Sequence, residues 1–169
     1  MTHQPIDPSL PEAVKKFLAA GATLEKIHLD ALGHWTHEGM GFTNEKIIAL
    51  FNRSVGRTSG GTWVLNVGQF TYPIEVEDTG FFIERVDLDQ SPPLLSLSDG
   101  SSEPLDPATL RYEAGSRLYC DVKGGEFRAR FKRPAYHALL DDAFEQDGAI
   151  VIIVAGQTVR LADTDALED

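Results

Sequence analysis

The chain has 169 residues, enough for one compact domain or two closely packed subdomains and too few for two large independent ones. Its 42% hydrophobic content, with nine Phe and two Trp, supplies a sizeable core and excludes wholesale disorder. With 15 Lys and Arg against 26 Asp and Glu the formal charge is −11, which opposes the counterion release behind non-specific nucleic-acid affinity and disfavours DNA and anionic membranes as partners.

The N-terminal segment, residues 1–23, reads as a capped helix: Ser9 caps, Glu12 follows three residues on, Leu10, Val14, Phe17 and Leu18 share a face, and Gly21 stops it. Pro5, Pro8 and Pro11 mixed with Asp7, Glu12, Lys15 and Lys16 leave no apolar signal-peptide core. The longest strongly apolar run, residues 149–155, is far short of a bilayer span. A single cysteine, Cys120, excludes an intrachain disulfide and a multi-thiolate metal site. Together these features predict a soluble, cytoplasmic protein.

From residue 24 the alternation predicts strands at 27–29 and 34–38 turning at Asp30 and Gly33. Thr43 or Asn44 then caps a helix with Ile47, Ile48, Leu50, Phe51 and Val55 on its apolar face. A glycine-rich connector at 56–61 leads to strands at 62–67 and 70–76, turning at Gly68 and Gln69, and a third strand at 81–88 completes a first α+β subdomain over 24–90. The stretch 91–108, with Pro92, Pro93, Pro104 and Pro107, reads as a connector holding a short strand at 94–97. The second subdomain, 109–169, has strands at 118–122 and 127–131 around Gly124 and Gly125, a helix from Pro134 to about Phe144, and a hairpin of 149–154 with 157–161 turning at Gly156.

The halves repeat, each with a hairpin, an amphipathic helix and a second hairpin. Ile47 matches Tyr136, Leu50 matches Leu139, Phe51 matches Leu140, and Gly68-Gln69 falls on Gly156-Gln157. The expected class is α+β, mostly antiparallel, in two related hairpin–helix–hairpin halves.

The runs IHLDALGHWTHEG at 27–39, YPIEVEDTGFFI at 72–83 and RPAYHALLDDA at 133–143, with the Leu50-Phe51 helix, resemble the bacterial domain-of-unknown-function family 1285. A eukaryotic family, domain of unknown function 4505, has similar patterning and is the rival assignment. The resemblance implies two related halves, the second like a pleckstrin-homology barrel, a nucleotide-like ligand between them and a signalling role, and it brings no activity with it. The chain departs from the family pattern at Gly80, where a Pro is expected, and in its more aliphatic close at 151–161.

Among chemistry-bearing residues, His34, His37 and Glu38 alternate across a strand, so they predict no shared metal. Gly41 to Asn44 turn into a helix N-terminus, which reads first as turn and cap and secondly as an anion site. Glu75 and Glu77 share a strand face beside Asp78, a solvated surface whose sharper alternative is a hydrolase carboxylate pair. Arg128, Arg130 and Lys132 alternate with Phe127, Ala129 and Phe131, making one strand face basic. The plain reading is a solvated outer face; the functional one is anion or phosphate recognition by arginine. Residues 111–133 hold seven basic groups and three acids, so this segment is +4 while the rest is −15.

The sequence therefore predicts a non-enzymatic small-ligand-binding or signalling protein with no resident cofactor or metal. Its expected ligand is a small phosphate-bearing molecule between the halves, contacted by Arg128, Arg130, Lys132, Gly41 and Asn44, with Trp35 or Tyr119 stacking on it. The alternative is a protein–protein interaction module using an exposed strand edge.

Overall fold

The computed structural model describes residues 27–163. The helix expected near Ser9 to Gly21 lies outside the described residues. The chain divides between Gly80 and Phe81 into two compact units.

The first unit opens with β1 (Ile27–Leu29), β2 (Trp35–His37) and β3 (Met40–Gly41), an antiparallel ribbon. Its first turn forms as the sequence predicts. Asp30 Oδ1 accepts hydrogen bonds from the amides of Leu32 (2.9 Å) and His34 (2.8 Å), while Gly33 takes a φ of 90°, a region open to glycine. Helix α1 (Glu45–Ser54) is capped by Asn44, whose Oδ1 accepts from the amides of Lys46 and Ile47. Ile47, Leu50 and Phe51 are the buried face of α1, each worth about 1.5–3 kcal/mol when fully covered. Val55, expected on that face, instead begins β4 (Val55–Arg57), which with β5 (Trp63–Val67) and β6 (Phe70–Pro73) makes a three-stranded meander. β7 (Glu75–Val76) then returns to pair in parallel with β1.

The second unit holds β8 (Phe81–Asp87), β9 (Leu94–Leu97), β10 (Ser102–Pro104), a single 3-10 turn at Pro107–Thr109, β11 (Arg111–Glu113), β12 (Arg117–Val122) and β13 (Phe127–Phe131). These strands form one six-stranded sheet in the order β10-β9-β8-β13-β12-β11, antiparallel except where β8 lies parallel to β13. The strand assigned by sequence to the end of the first half is thus near the middle of the second unit's sheet. The proline-rich connector is part of that sheet too. Leu95 and Leu97 are buried on one face of β9, and Pro104 closes the edge strand β10, a position where a missing amide costs no ladder bond.

Helix α2 (Arg133–Leu140) begins with a proline in its first turn and packs on β8 and β13 through Ala135 and Leu139. It stops earlier than the sequence suggests. Asp141 and Asp142 stand where the helix dipole disfavours carboxylates, and Phe144 opens β14 (Phe144–Gln146). Asp147 and Gly148, both at positive φ, then turn into β15 (Ala149–Val154), and β15 runs back as β16 (Gln157–Asp163) through Ala155 and Gly156. Each described helix is therefore followed by a three-stranded antiparallel meander. The protein is α+β and mostly antiparallel. Among the described residues no helix is long and apolar enough to cross a membrane.

Candidate functional site

The alternation read along β13 is realised: Ala129 and Phe131 are buried, Arg128 is exposed and Arg130 half-buried. Register carries this basic face across the sheet. Arg111 on β11 lies opposite Tyr119 on β12, and Tyr119 lies opposite Arg130 on β13, which in turn lies opposite Phe82 on β8. One row further on, Asp121 faces Arg128. Paired residues point to one side of a sheet, so Arg111, Tyr119, Arg130 and Phe82 share a face with Asp121 and Arg128.

Tyr119 and Phe82 are buried on that face, at 0% and 2% exposure, although charged side chains surround them. The Arg128 guanidinium carbon lies 4.3 Å from the Tyr119 ring centre, and the Lys132 ammonium lies 5.7 Å from the Phe82 ring. Both cations thus sit over aromatic rings while their ends meet carboxylates: Arg128 Nη1 donates to Glu113 Oε2 at 3.5 Å and Lys132 Nζ to Glu84 Oε1 at 3.4 Å. The Tyr119 ring is accordingly covered by Arg128. Its expected role as a stacking surface is corrected: a fully buried ring offers no face to a ligand.

Arg128 contributes to a cleft of about 470 Å³ within the second unit. Its lining includes Arg111, Tyr112 and Glu113 from β11, Arg128 from β13, and Arg160 with Leu161 from β16. Three arginines from three strands of two sheets therefore line one depression. Arg130 and Lys132 are not among its lining residues. Each lining arginine also meets a carboxylate. Arg111 Nη2 donates to Asp121 Oδ1 at 2.5 Å and Arg160 Nη2 donates to Asp163 Oδ1, and neither aspartate lines the cleft; Glu113, the partner of Arg128, does. A guanidinium has five N–H donors, so for Arg111 and Arg160 one carboxylate contact leaves donors for a second acceptor.

The remaining sequence candidates lie elsewhere. Trp35 is 3% exposed, packs edge-on against Phe51 at 5.4 Å and donates its indole N–H to Asn52 Oδ1 at 2.7 Å. It is a core residue, which corrects the expectation that it stacks on a ligand. Gly41 and Asn44 line a separate depression of about 360 Å³ in the first unit, together with His37, Glu38, Met40, Phe42 and Thr43. There the Asn44 side chain itself takes up the amides of Lys46 and Ile47, so the turn-and-cap reading accounts for it.

Glu75 and Glu77 flank His28, with Oε2 of each at 3.5 and 3.8 Å from its two ring nitrogens, and Glu77 also accepts from the amide of Ala31. These side chains are 82% and 55% exposed, the open setting of a solvated face. Among the described residues no group of three His, Cys, Asp or Glu side chains is placed to hold a metal ion.

A second polar cluster escaped the sequence reading. Lys123 Nζ donates to Asp99 Oδ2 and Ser101 Oγ, both at 2.7 Å, and the Ser101 hydroxyl donates to Asp99 Oδ1 at 2.5 Å. Burial works to raise the Asp99 carboxyl, but the hydrogen bonds from Lys123 and Ser101 outweigh it and hold the group below its ordinary value. The cluster ties the β9–β10 turn to the β12–β13 turn. Cys120, fully buried, has its thiol pushed up by burial to about 12 and stays a neutral core side chain.

Sequence reasoning missed Arg111, Glu113 and Arg160. Arg111 and Glu113 lie two apart on a strand, a local signal for a shared face. Arg160 lies far along the chain, and nothing local ties it to Arg128.

No protein-family model matches the chain, and no curated protein matches it in sequence. Among solved structures, a DUF1285 family protein from Silicibacter pomeroyi superposes with a TM-score of 0.60 at 18% identity, over 85% of this chain and 82% of its own. A DUF1285 family protein from Shewanella baltica gives a TM-score of 0.54 at 20% identity, over 72% of this chain and 94% of its own. The fold is therefore that of the domain-of-unknown-function 1285 proteins, the family whose motifs the sequence resembles.

Proposed function

We propose that this protein is a soluble, cytoplasmic, non-enzymatic ligand-binding module, and that its ligand is a small anion held in the arginine-lined cleft of the second unit. One observation carries the reading: Arg111, Arg128 and Arg160 reach the same cleft from three separate strands. Its volume of about 470 Å³ lies within the range of small-molecule sites, roughly 300–1,000 Å³. Arginine suits the planar, bidentate recognition of phosphate and carboxylate. A phosphate-bearing, nucleotide-like molecule fits this chemistry, and a signalling role follows if its binding is read out by a partner.

A thermal-shift screen against nucleotides and simple anions tests the proposal. A ligand present at about one hundred times its dissociation constant stabilises the fold by ~2.7 kcal/mol. The shift should vanish in Arg128→Ala and in Arg160→Ala. Absence of any anion-dependent shift, or a shift untouched by both substitutions, disproves it.

The alternative reading is strand addition by a protein partner. It is favoured by β14, an exposed outer strand whose Phe144 (41% exposed) shares a sheet face with Ile153 (63% exposed). Co-purification of one stoichiometric partner, lost in Phe144→Glu, would favour it over the ligand reading.

We also infer that the two helix-and-meander segments are copies of one ancestral unit. The matching turns at Gly68 and Gly156, both at positive φ, support this. On that reading the six-stranded sheet is the part that a pleckstrin-homology-like barrel would use.

A further inference from the structure

We propose that Glu113 is an internal stand-in for the ligand, occupying Arg128 until a small molecule with at least two anionic groups displaces it. The proposal rests on the anion-binding reading of the same cleft and adds which groups the ligand must carry and what it must move.

The carboxylates around the cleft fall into two kinds. Asp121 and Asp163 hold Arg111 and Arg160 from outside the lining, where they fix each guanidinium without filling the space a ligand would take. Glu113 lines the cleft itself and meets Arg128 at 3.5 Å, a long contact between side chains that are 42% and 43% exposed. Exposed pairs of this kind are weak, so their exchange for a better anion is cheap. Arg128 is meanwhile steadied by the Tyr119 ring at 4.3 Å, so the guanidinium keeps its place when Glu113 leaves.

The number of anionic groups follows from spacing. β11 and β13 are separated by β12, and Arg128 lies one row along from Arg130, the residue in Arg111's own row, which puts Arg111 and Arg128 roughly 11–12 Å apart at the backbone. Arg160 comes from a different sheet. A single small anion engages part of this set, whereas a diphosphate or dicarboxylate reaches two of its arginines at once.

The test is calorimetric titration of the full chain with pyrophosphate, and with acetate as the single-charge control. Wild type should bind pyrophosphate and not acetate. Glu113→Gln, and Glu113→Ala as a second variant, should tighten pyrophosphate binding roughly two- to fivefold, the strength of an exposed ion pair. Asp121→Asn makes the same change in net charge and should give no such gain. If pyrophosphate binds wild type, but both Glu113 variants bind it no more tightly or Asp121→Asn gains as much, the displacement proposal is overturned while the anion site stands. If no variant binds any anion, both fall together.

Discussion

Arg128 and Tyr119 sit on neighbouring strands with the guanidinium carbon 4.3 Å from the ring centre, so a charged side chain completes the burial of an aromatic one. This contact makes Arg128 part of the fold as well as of the cleft. Arg128→Ala should destabilise the protein by about 0.5–1 kcal/mol through the lost cation–π contact alone. Arg128→Lys should recover part of that, since charge is kept and the planar group is lost. Urea titration of both variants measures this; an Arg128→Ala midpoint equal to wild type would show that Tyr119 does not need its cover.

The Asp99–Lys123 pair predicts an acid-sensitive contribution to stability. Asp99 titrates below its unfolded value in the folded chain, so its carboxylate stabilises the fold above the unfolded pKa of about 3.9. That contribution falls away as pH drops through the lowered folded value. Lys123→Met should cost about 1.5–3 kcal/mol at neutral pH, where hydrogen bonds to a charged partner are lost. The gap from wild type should narrow in strong acid. A gap independent of pH would assign the loss to packing rather than to the ion pair.

Cys120 should be chemically silent in the native protein. Its thiol is buried and pushed up to about 12, so almost no thiolate forms near neutrality. Alkylation at about pH 8 should proceed at the rate of a free thiol, pKa about 8.5, only after unfolding in denaturant. Mass spectrometry of native samples showing rapid modification would contradict the burial.

Gly80 is required for space. A Cβ placed there would lie 2.6 Å from the Trp63 ring and 2.6 Å from a Val55 methyl. Gly80→Ala should therefore cost about 1–3 kcal/mol, read from the thermal midpoint. The same contacts account for the absence of the proline expected before the aromatic strand, since a pyrrolidine ring is bulkier still. A Gly80→Ala variant as stable as wild type would show that Trp63 yields without cost.

The residues that were legible in the sequence share a property: their conformations are decided by neighbours within a few positions. Asp30 and Gly33 make their turn through side-chain-to-backbone hydrogen bonds of two and four residues' reach, and Asn44 caps α1 over two and three. The alternation of Arg128 and Arg130 with Ala129 and Phe131 fixes opposite faces in any strand. The Asp147-Gly148 turn belongs to the same class, and its Asp-Gly pair was the available sign that a strand, not more helix, precedes Ala149.

Local pattern thus sets the α+β class, most of the strands and the basic face of β13. Long-range strand pairing settles where the strands belong and what that face meets. Whether the leucines at 95 and 97 sit in a connector or a sheet depends on β8 pairing beside them, and β8 joined the second unit through its parallel pairing with β13. Whether Arg128 meets solvent or other arginines depends on Arg111 across one strand and on Arg160 from another sheet. Those neighbours are chosen by non-local pairing, whose energy lies in side chains distant along the chain, so no local pattern encodes them.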